Sequence, residues 1–326
     1  MTLLNNNKIL VTGGTGFFGR ALLEEWSRRF DMGNLLFSVT VLTRSPEDFL
    51  DKFPQFSKYP WLEFHSGDVL DYKSLPLGCE FTHILHAAAD STPSMEFDHT
   101  LRYDQIVNGT RNLLDFGITS KIKRFLYISS GAVYGPQPSF IDSISEDFMG
   151  MPDPLNYNNS YGVAKRSAEH LCALYQEKYG LEVVIARCFS FVGLGLPLNA
   201  HFAIGNFIRD AVWGNKISVS GDGMAVRSYL DQRDLATWLI ELLDKGQAGC
   251  AYNVGSDYAV SISDLASLVR DIISPEKSVN ICGKFSSKEE QRLRYVPDIS
   301  KIRGELKLDA PISIEDSIRF IAKNLV

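Results

Sequence analysis

Cysteine is sparse in this chain. Cys79, Cys172, Cys188, Cys250 and Cys282 are scattered with no CxxC pair. A disulfide framework and a thiolate metal cage are therefore not expected, and reduced thiols are. The six histidines do not cluster either, so no metal site is anticipated. No apolar run approaches the ~20 residues a membrane-spanning helix requires. The opening "MTLLNNNKILVTGG" has no basic segment ahead of its short apolar stretch. A secretory leader is thus not expected, and a cytoplasmic protein without membrane partners is. A basic excess is missing as well: 33 Lys and Arg against 39 Asp and Glu leave a net charge of −6. That balance disfavours a general nucleic-acid binder but leaves room for a local phosphate site. Internal repeats and low-complexity tracts are absent from the sequence.

What is present is a large apolar fraction, 45% of 326 residues, enough for one large or two medium domains. The first half alternates short β-rich runs with amphipathic stretches. The runs are "KILVTG", "SVTVLT", "WLEFHS", "HILHAAA", "RFLYISS" and "EVVIARC". They are apolar almost throughout, as strands covered on both faces are. Such β/α alternation predicts an α/β fold with a parallel, doubly wound, Rossmann-type sheet. From about Phe189 glycine and proline punctuation loosens the pattern. The expected division is a dinucleotide-binding domain over 1–188, with 229–250 returning to it, and a smaller substrate domain over 189–326.

"LVTGGTGFFGRALLEEW" sets Gly13, Gly16 and Gly19 directly after the first strand and at the start of a helix. In a dinucleotide site the first glycine makes the tight turn. The second admits the pyrophosphate and the third lets helix and strand pack closely. Thr15, Phe17 and Phe18 complete this candidate turn. In "SGDVLD", Asp68 stands where a carboxylate can accept from an adenine amino group, with Val69 beside it; a turn acid is the plain reading. The small residues Ala87, Ala88 and Ala89 end the fourth strand, where they admit a cofactor or simply pack tightly.

In "SYGVAKRSAEHLCALYQEKYG" Tyr161 and Lys165 are four apart, on one face of a helix. An ammonium beside a phenol favours the phenolate, which makes Tyr161 usable as an acid or base near neutral pH. Ser129 and Ser130 fall at the carboxyl end of the fifth strand, the ligand edge of such sheets.

Together "TGGTGFFG", "GDVLD", "LHAAA", "SSGAVYG", "YGVAK", "GDGMAVRSYLDQRDLA" and "YNVGS" resemble the extended short-chain dehydrogenases/reductases. The particular group is the NAD(P)-dependent nucleotide-sugar epimerase/dehydratase family. The resemblance covers nearly the whole chain. It implies a Rossmann domain with a small C-terminal substrate domain, a nicotinamide cofactor, a nucleotide-diphosphate sugar as substrate, and a homodimer that pairs helices of the cofactor domain. It gives Tyr161 the acid/base role and Lys165 the nicotinamide ribose. The family's catalytic Ser/Thr stands four residues before the tyrosine of "VYG", here Tyr134, so that role falls to Ser130, with Ser129 against the cofactor. Arg227 matches the family's diphosphate arginine. Ser190 stands where the family usually has asparagine. Asn206 and Phe207 are candidates for the base site, although a core Phe is the plain alternative. Arg292 or Arg294 stands for a second arginine, and Asn108 is expected to support backbone rather than touch substrate.

The departures narrow the reaction. Sugar 4,6-dehydratases of this family carry Asp-Glu directly after the catalytic Thr, and the decarboxylases carry a glutamate at the second of those positions. Here Gly131 and Ala132 stand there. Glu146 or Asp147 reaches the site only if its loop folds over. What remains needs only hydride and one proton: ketone reduction or 4-epimerisation. At the end of the second strand an acid would accept from both ribose hydroxyls of NAD and repel a 2′-phosphate. Thr43 removes that repulsion and Arg44 adds a guanidinium suited to phosphate. NADP is therefore expected, with NAD as the alternative, and Arg20 is a further phosphate candidate. A net reductase draws on NADPH, whereas an epimerase recycles bound NAD. The leading expectation is an NADPH-dependent reductase of a nucleotide-linked 4-keto (6-deoxy) sugar. A 4-epimerase is the first rival. A non-catalytic redox sensor or RNA-binding protein on the same fold is the second.

Overall fold

The computed structural model describes residues 7–34, 37–89, 98–200, 202–283 and 294–325. In chain order the strands are β1 (Lys8–Thr12), β2 (Ser38–Thr43), β3 (Leu62–Ser66), β4 (His83–His86), β5 (Arg124–Ser130), β6 (Glu182–Cys188), β7 (Phe191–Val192), β8 (Ile217–Val219), β9 (Val226–Arg227), β10 (Leu230–Asp231), β11 (Cys250–Val254), β12 (Val260–Ser261), β13 (Val279–Ile281) and β14 (Arg294–Tyr295). The helices are α1 (Phe17–Asp31), α2 (Pro46–Lys52), α3 (His99–Thr119), α4 (Ser160–Tyr179), α5 (Ala203–Trp213), α6 (Gln232–Lys245), α7 (Ile262–Ile273), α8 (Ser300–Leu306) and α9 (Ile314–Leu325).

Seven strands form one parallel sheet in the order β11-β6-β5-β4-β1-β2-β3. The apolar runs explain it. Ile9, Leu10, Val11, Ile84, Leu85, Phe125 and Leu126 are all excluded from solvent, so both faces of the central strands are covered. The strand order reverses between β1 and β4, the place where doubly wound sheets bind ligands. There Thr12 pairs with His86, which brings the ends of the two strands level.

The helices stop and start by local chemistry. Asp98 caps α3 by accepting from the amides of Thr100 and Leu101 at 2.8 and 3.2 Å. Gly180 ends α4 in the left-handed region, at φ 70°. Ala164 and Ala168, fully buried, give α4 the smooth face it packs inward.

The chain divides into two compact units. The first takes residues 1–133, 152–187 and 236–252; the second takes 134–151, 188–235 and 253–326. In the second, β9 lies between β12 and β14, β13 pairs with β8, and α7 is capped by Ser261, which accepts from Asp264 N at 3.0 Å. Asn253 is the polar hub of this unit. It accepts from the Tyr134 hydroxyl at 2.9 Å and donates to the carbonyls of Ile144 at 2.8 Å and Asp298 at 3.1 Å. One buried amide thereby ties 134–151 and the segment after β14 to the end of β11.

Candidate active site

The glycine turn is built for close approach. Gly13 sits at φ 70°, and a Cβ there would lie 2.6 Å from the Ala87 carbonyl group. At Gly19 a Cβ would lie 2.2 Å from the backbone of Gly14, so helix and turn touch main chain to main chain. Gly16 is exposed, and a Cβ there would meet nothing nearer than 3.4 Å. Helix α1 begins at Gly16 with no side-chain cap and no acid in its first turn. The positive end of its dipole thus meets no acidic side chain in the first turn and suits an anion. These residues fit the pyrophosphate of a dinucleotide. Thr15, Phe17 and Phe18 are part-buried around this turn, and the two phenyl rings lie 5.8 Å apart.

Beneath the turn lies a hydrogen-bond chain. Thr110 gives its hydroxyl proton to the Ile106 carbonyl at 2.5 Å, so it accepts from His86 Nε2 at 3.1 Å. His86 Nδ1 is then the bare nitrogen and accepts from Thr12 Oγ1 at 2.7 Å, while Thr12 Oγ1 accepts from Ala88 N at 3.1 Å. Burial, with Lys165 as a second cause, lowers the His86 pKa to about 3, so the ring is neutral and the direction of the chain is fixed. The result pins Ala87 and Ala88 against the glycine turn, while Ala89 packs on the hydrophobic core.

Thr43 closes β2 half-buried, and Arg44 follows it into solvent. Arg44 makes no hydrogen bond or ion pair among the described residues. Arg20 lies over the Phe53 ring, 5.1 Å from its centroid, with its pKa lowered by burial. Asp68 is half-buried and accepts from Leu70 N at 2.9 Å, a turn bond that occupies one of its oxygens. The carbonyl of its neighbour Val69 is held at 2.9 Å by Asn112. Asn108, expected to support backbone, instead faces Asp104 at 3.4 Å on the surface; Asn112, four residues on and one helical turn away, does that work.

Tyr161 and Lys165 share a face of α4. Lys165 is buried, donates to the Ile128 carbonyl at 2.7 Å, and its Nζ lies 4.9 Å from the Tyr127 ring centroid and 5.9 Å from that of Tyr161. A Cβ on Gly162 would lie 2.7 Å from the Ala132 carbonyl oxygen. The glycine beside Tyr161 thus lets the start of α4 touch the turn that follows Ser130. Ser130 Oγ accepts from Ala132 N at 3.1 Å and keeps its own proton to give. The side chain of Ser129 takes a different course: its hydroxyl donates to Glu169 Oε1 at 2.5 Å, inside the protein. Glu169 is in turn held by Arg187 at 2.8 Å. This part-buried pair, one turn beyond Lys165, was not legible as a pair in the sequence, because its partners lie on α4 and β6.

Among the substrate-side candidates of the second unit, Ser190 is half-buried and its carbonyl accepts from Leu230 N at 3.0 Å. Arg227 lies on β9 and donates to the Val226 carbonyl at 2.8 Å. Asn206 donates to the Ala200 carbonyl at 2.9 Å and accepts from Arg209 at 3.1 Å. Phe207 is 3% exposed, a core residue of α5. Arg292 lies outside the described residues. Arg294 pairs with Val226 through β14 and donates from Nε to the Asp142 carbonyl at 2.6 Å. Glu146 accepts from Asn253 N at 2.7 Å, and burial raises its pKa. Among the described residues no group of three or more potential metal ligands comes together.

Comparison with known proteins gives one consistent answer at the level of the family. A model of the NAD dependent epimerase/dehydratase family matches residues 9–255. UDP-glucuronic acid decarboxylase 1 of Arabidopsis thaliana is 28% identical over 313 residues, 95% of this chain and 68% of that protein. The structure of RMD from Pseudomonas aeruginosa complexed with NADPH superposes with TM-score 0.78 at 25% identity, covering 98% of each chain. UDP-glucuronic acid 4-epimerase from Bacillus cereus in complex with NAD superposes with TM-score 0.78 at 24% identity, covering 98% of this chain and 99% of that one, a likeness of fold.

Proposed function

The chain belongs to the NAD dependent epimerase/dehydratase family, and on that premise we propose that it is an NADPH-dependent reductase of a nucleotide-linked 4-keto (6-deoxy) sugar. The observation that carries this reading is the neighbourhood of Ser130. Its hydroxyl proton is available, Tyr161 stands on the helix that touches its turn, and Gly131 and Ala132 bring no carboxylate beside it. Glu146 accepts from the Asn253 amide at 2.7 Å, within the second unit. The solvent-facing Arg44 after Thr43 supports NADPH over NADH, because nothing acidic ends β2 and the guanidinium has no competing partner among the described residues.

NADPH, when bound, would supply the hydride for the C4 carbonyl carbon. Ser130 donates a hydrogen bond to the carbonyl oxygen, and Tyr161 gives it the proton that completes the alcohol. Lys165, fixed by the Ile128 carbonyl, carries the positive charge that makes Tyr161 a better acid and holds the nicotinamide ribose. Arg227 is the diphosphate clamp of this proposal, with Arg292 as the second candidate. Substrate contacts of Ser190 and Asn206 and the homodimer belong to the same proposal, whereas Phe207 is a core residue.

Two other readings use the same residues. A 4-epimerase needs only Ser130, Tyr161, Lys165 and a retained cofactor. Decarboxylation is favoured by the identity of the sequence relatives and opposed by Ala132, since the family's decarboxylases resemble one another in carrying a glutamate there. The test incubates the protein with UDP-, dTDP-, CDP- and GDP-sugars, their 4-keto-6-deoxy derivatives and UDP-glucuronic acid, with each coenzyme, and identifies products by mass spectrometry. NADPH oxidation with a 4-keto derivative and no 4-keto product from an unmodified sugar is expected. Loss of CO2 from UDP-glucuronic acid, or a 4-keto product without net coenzyme change, overturns the reading.

A further inference from the structure

The sequence pairs Tyr161 with Lys165, yet the cation nearer to the Tyr161 ring comes from another helix. Arg102 on α3 stacks on the ring with its guanidinium carbon 4.3 Å from the centroid, against 5.9 Å for Lys165 Nζ. We propose that Arg102 is a positioning residue for Tyr161: its stacked guanidinium fixes the plane of the phenol and, as the nearer of two cations, weakens the phenol's hold on its proton. The proposal rests on Tyr161 being the proton donor of the reaction.

The physics follows from geometry. A guanidinium over a phenol face is attracted to the ring, and more strongly once the ring carries the phenolate charge. Removing Arg102 therefore penalises the phenolate more than the phenol. Both residues are half-buried, so their coupling is screened less than on an open surface and more than in the core. One unit charge at this distance is worth about one pH unit on its neighbour's titration.

The other groups around Tyr161 do not replace that charge. On its own helix Lys165 keeps its charge but lies farther from the ring, at 5.9 Å, and donates a hydrogen bond to the Ile128 carbonyl, while Glu169 is paired with Arg187. On β5 Tyr127 is kept protonated by burial, and on β4 His86 is kept neutral. On α3 His99 is hydrogen-bonded to Ser160 at 2.8 Å.

The experiment reads the proton directly and needs no substrate. The phenolate absorbance of the full chain is titrated, with Tyr161→Phe as the reference that isolates this ring from the other 12 of the 13 tyrosines. In Arg102→Met, Tyr161 should titrate about one pH unit higher. Arg102→Lys should restore most of that difference, and Arg102→Gln serves as a second neutral variant. Added salt should raise the wild-type titration, since a half-exposed guanidinium is screened, and should move Arg102→Met less. Where turnover is measurable, the alkaline limb of kcat/KM should move by the same amount. An unchanged Tyr161 titration in a folded Arg102→Met or Arg102→Gln, or a wild-type titration indifferent to salt, overturns the proposal. Failure of the reductase reading leaves the titration standing. A failed titration beside intact NADPH-dependent turnover removes Arg102 alone.

Discussion

His86 makes this protein's stability acid-sensitive in a way that can be worked out in advance. The perturbation is His86→Gln, which keeps one acceptor and one donor for Thr12 and Thr110 but cannot take up a proton near neutrality. In the folded chain burial lowers the His86 pKa from 6.5 to about 3. The folded value lies below the unfolded one, so the unfolded chain binds the proton first as pH falls. The stabilisation is whole above about pH 6.5 and is lost progressively down to about pH 3. At about pH 5 the loss covers roughly 1.5 pH units, or about 2 kcal/mol. His83, lowered to about 4 by burial, Arg124 and Lys123, loses a similar amount over the same interval in wild type and variant alike. Against a typical total of about 5–15 kcal/mol, 2 kcal/mol is readily measured. The assay is denaturant unfolding of wild type and His86→Gln at about pH 7 and pH 5. The variant should start lower at pH 7, because the glutamine fits the chain less well. Its further loss on acidification should nevertheless be smaller than that of wild type by about 2 kcal/mol. Equal losses in the two proteins would refute the assignment of His86 as a neutral, buried link.

Two further outcomes follow from the site. Arg44→Ala should weaken NADPH binding roughly tenfold to a hundredfold and leave NADH binding nearly unchanged, the cost of one charge-assisted contact of about 1.5–3 kcal/mol; equal losses for both coenzymes in a binding titration would sink the 2′-phosphate role. Tyr161→Phe should bind coenzyme almost normally and lose ~10²–10⁴-fold in turnover, as removal of a positioned acid does; retained activity would mean the proton comes from elsewhere.

How much of this was written in the chain depends on how far apart the partners are. The strands "SVTVLT", "RFLYISS" and "EVVIARC" run over the same residues in the sequence reading and in β2, β5 and β6, because an apolar run bounded by turn residues is a local property. The glycine turn was equally legible, since its φ and its missing side chains are set within seven residues, Gly13 to Gly19. The Tyr161 to Lys165 spacing needed only one helical turn. The strand β11 is two-sided and short, and nothing in "CAYNV" alone separates it from a loop.

The rest depends on contacts between residues distant in sequence. Thr12, His86 and Thr110 are ordinary residues until β1, β4 and α3 bring them within hydrogen-bond reach, across 74 and 24 residues. Ser129 reads as a site residue by its place at a strand end, but α4 presents Glu169 to it across 40 residues, and a carboxylate in a buried setting holds a hydroxyl more firmly than open solvent does. Residues 134–151 follow directly from β5, yet they pack in the second unit because Asn253 satisfies their buried backbone there. Local sequence determined the cradle and the acid/base pair, since turns and helix faces are set within a few residues. Tertiary packing alone decided which neighbours charge, orient and hold them, because only the folded chain brings Arg102 onto the Tyr161 ring and His86 under the turn.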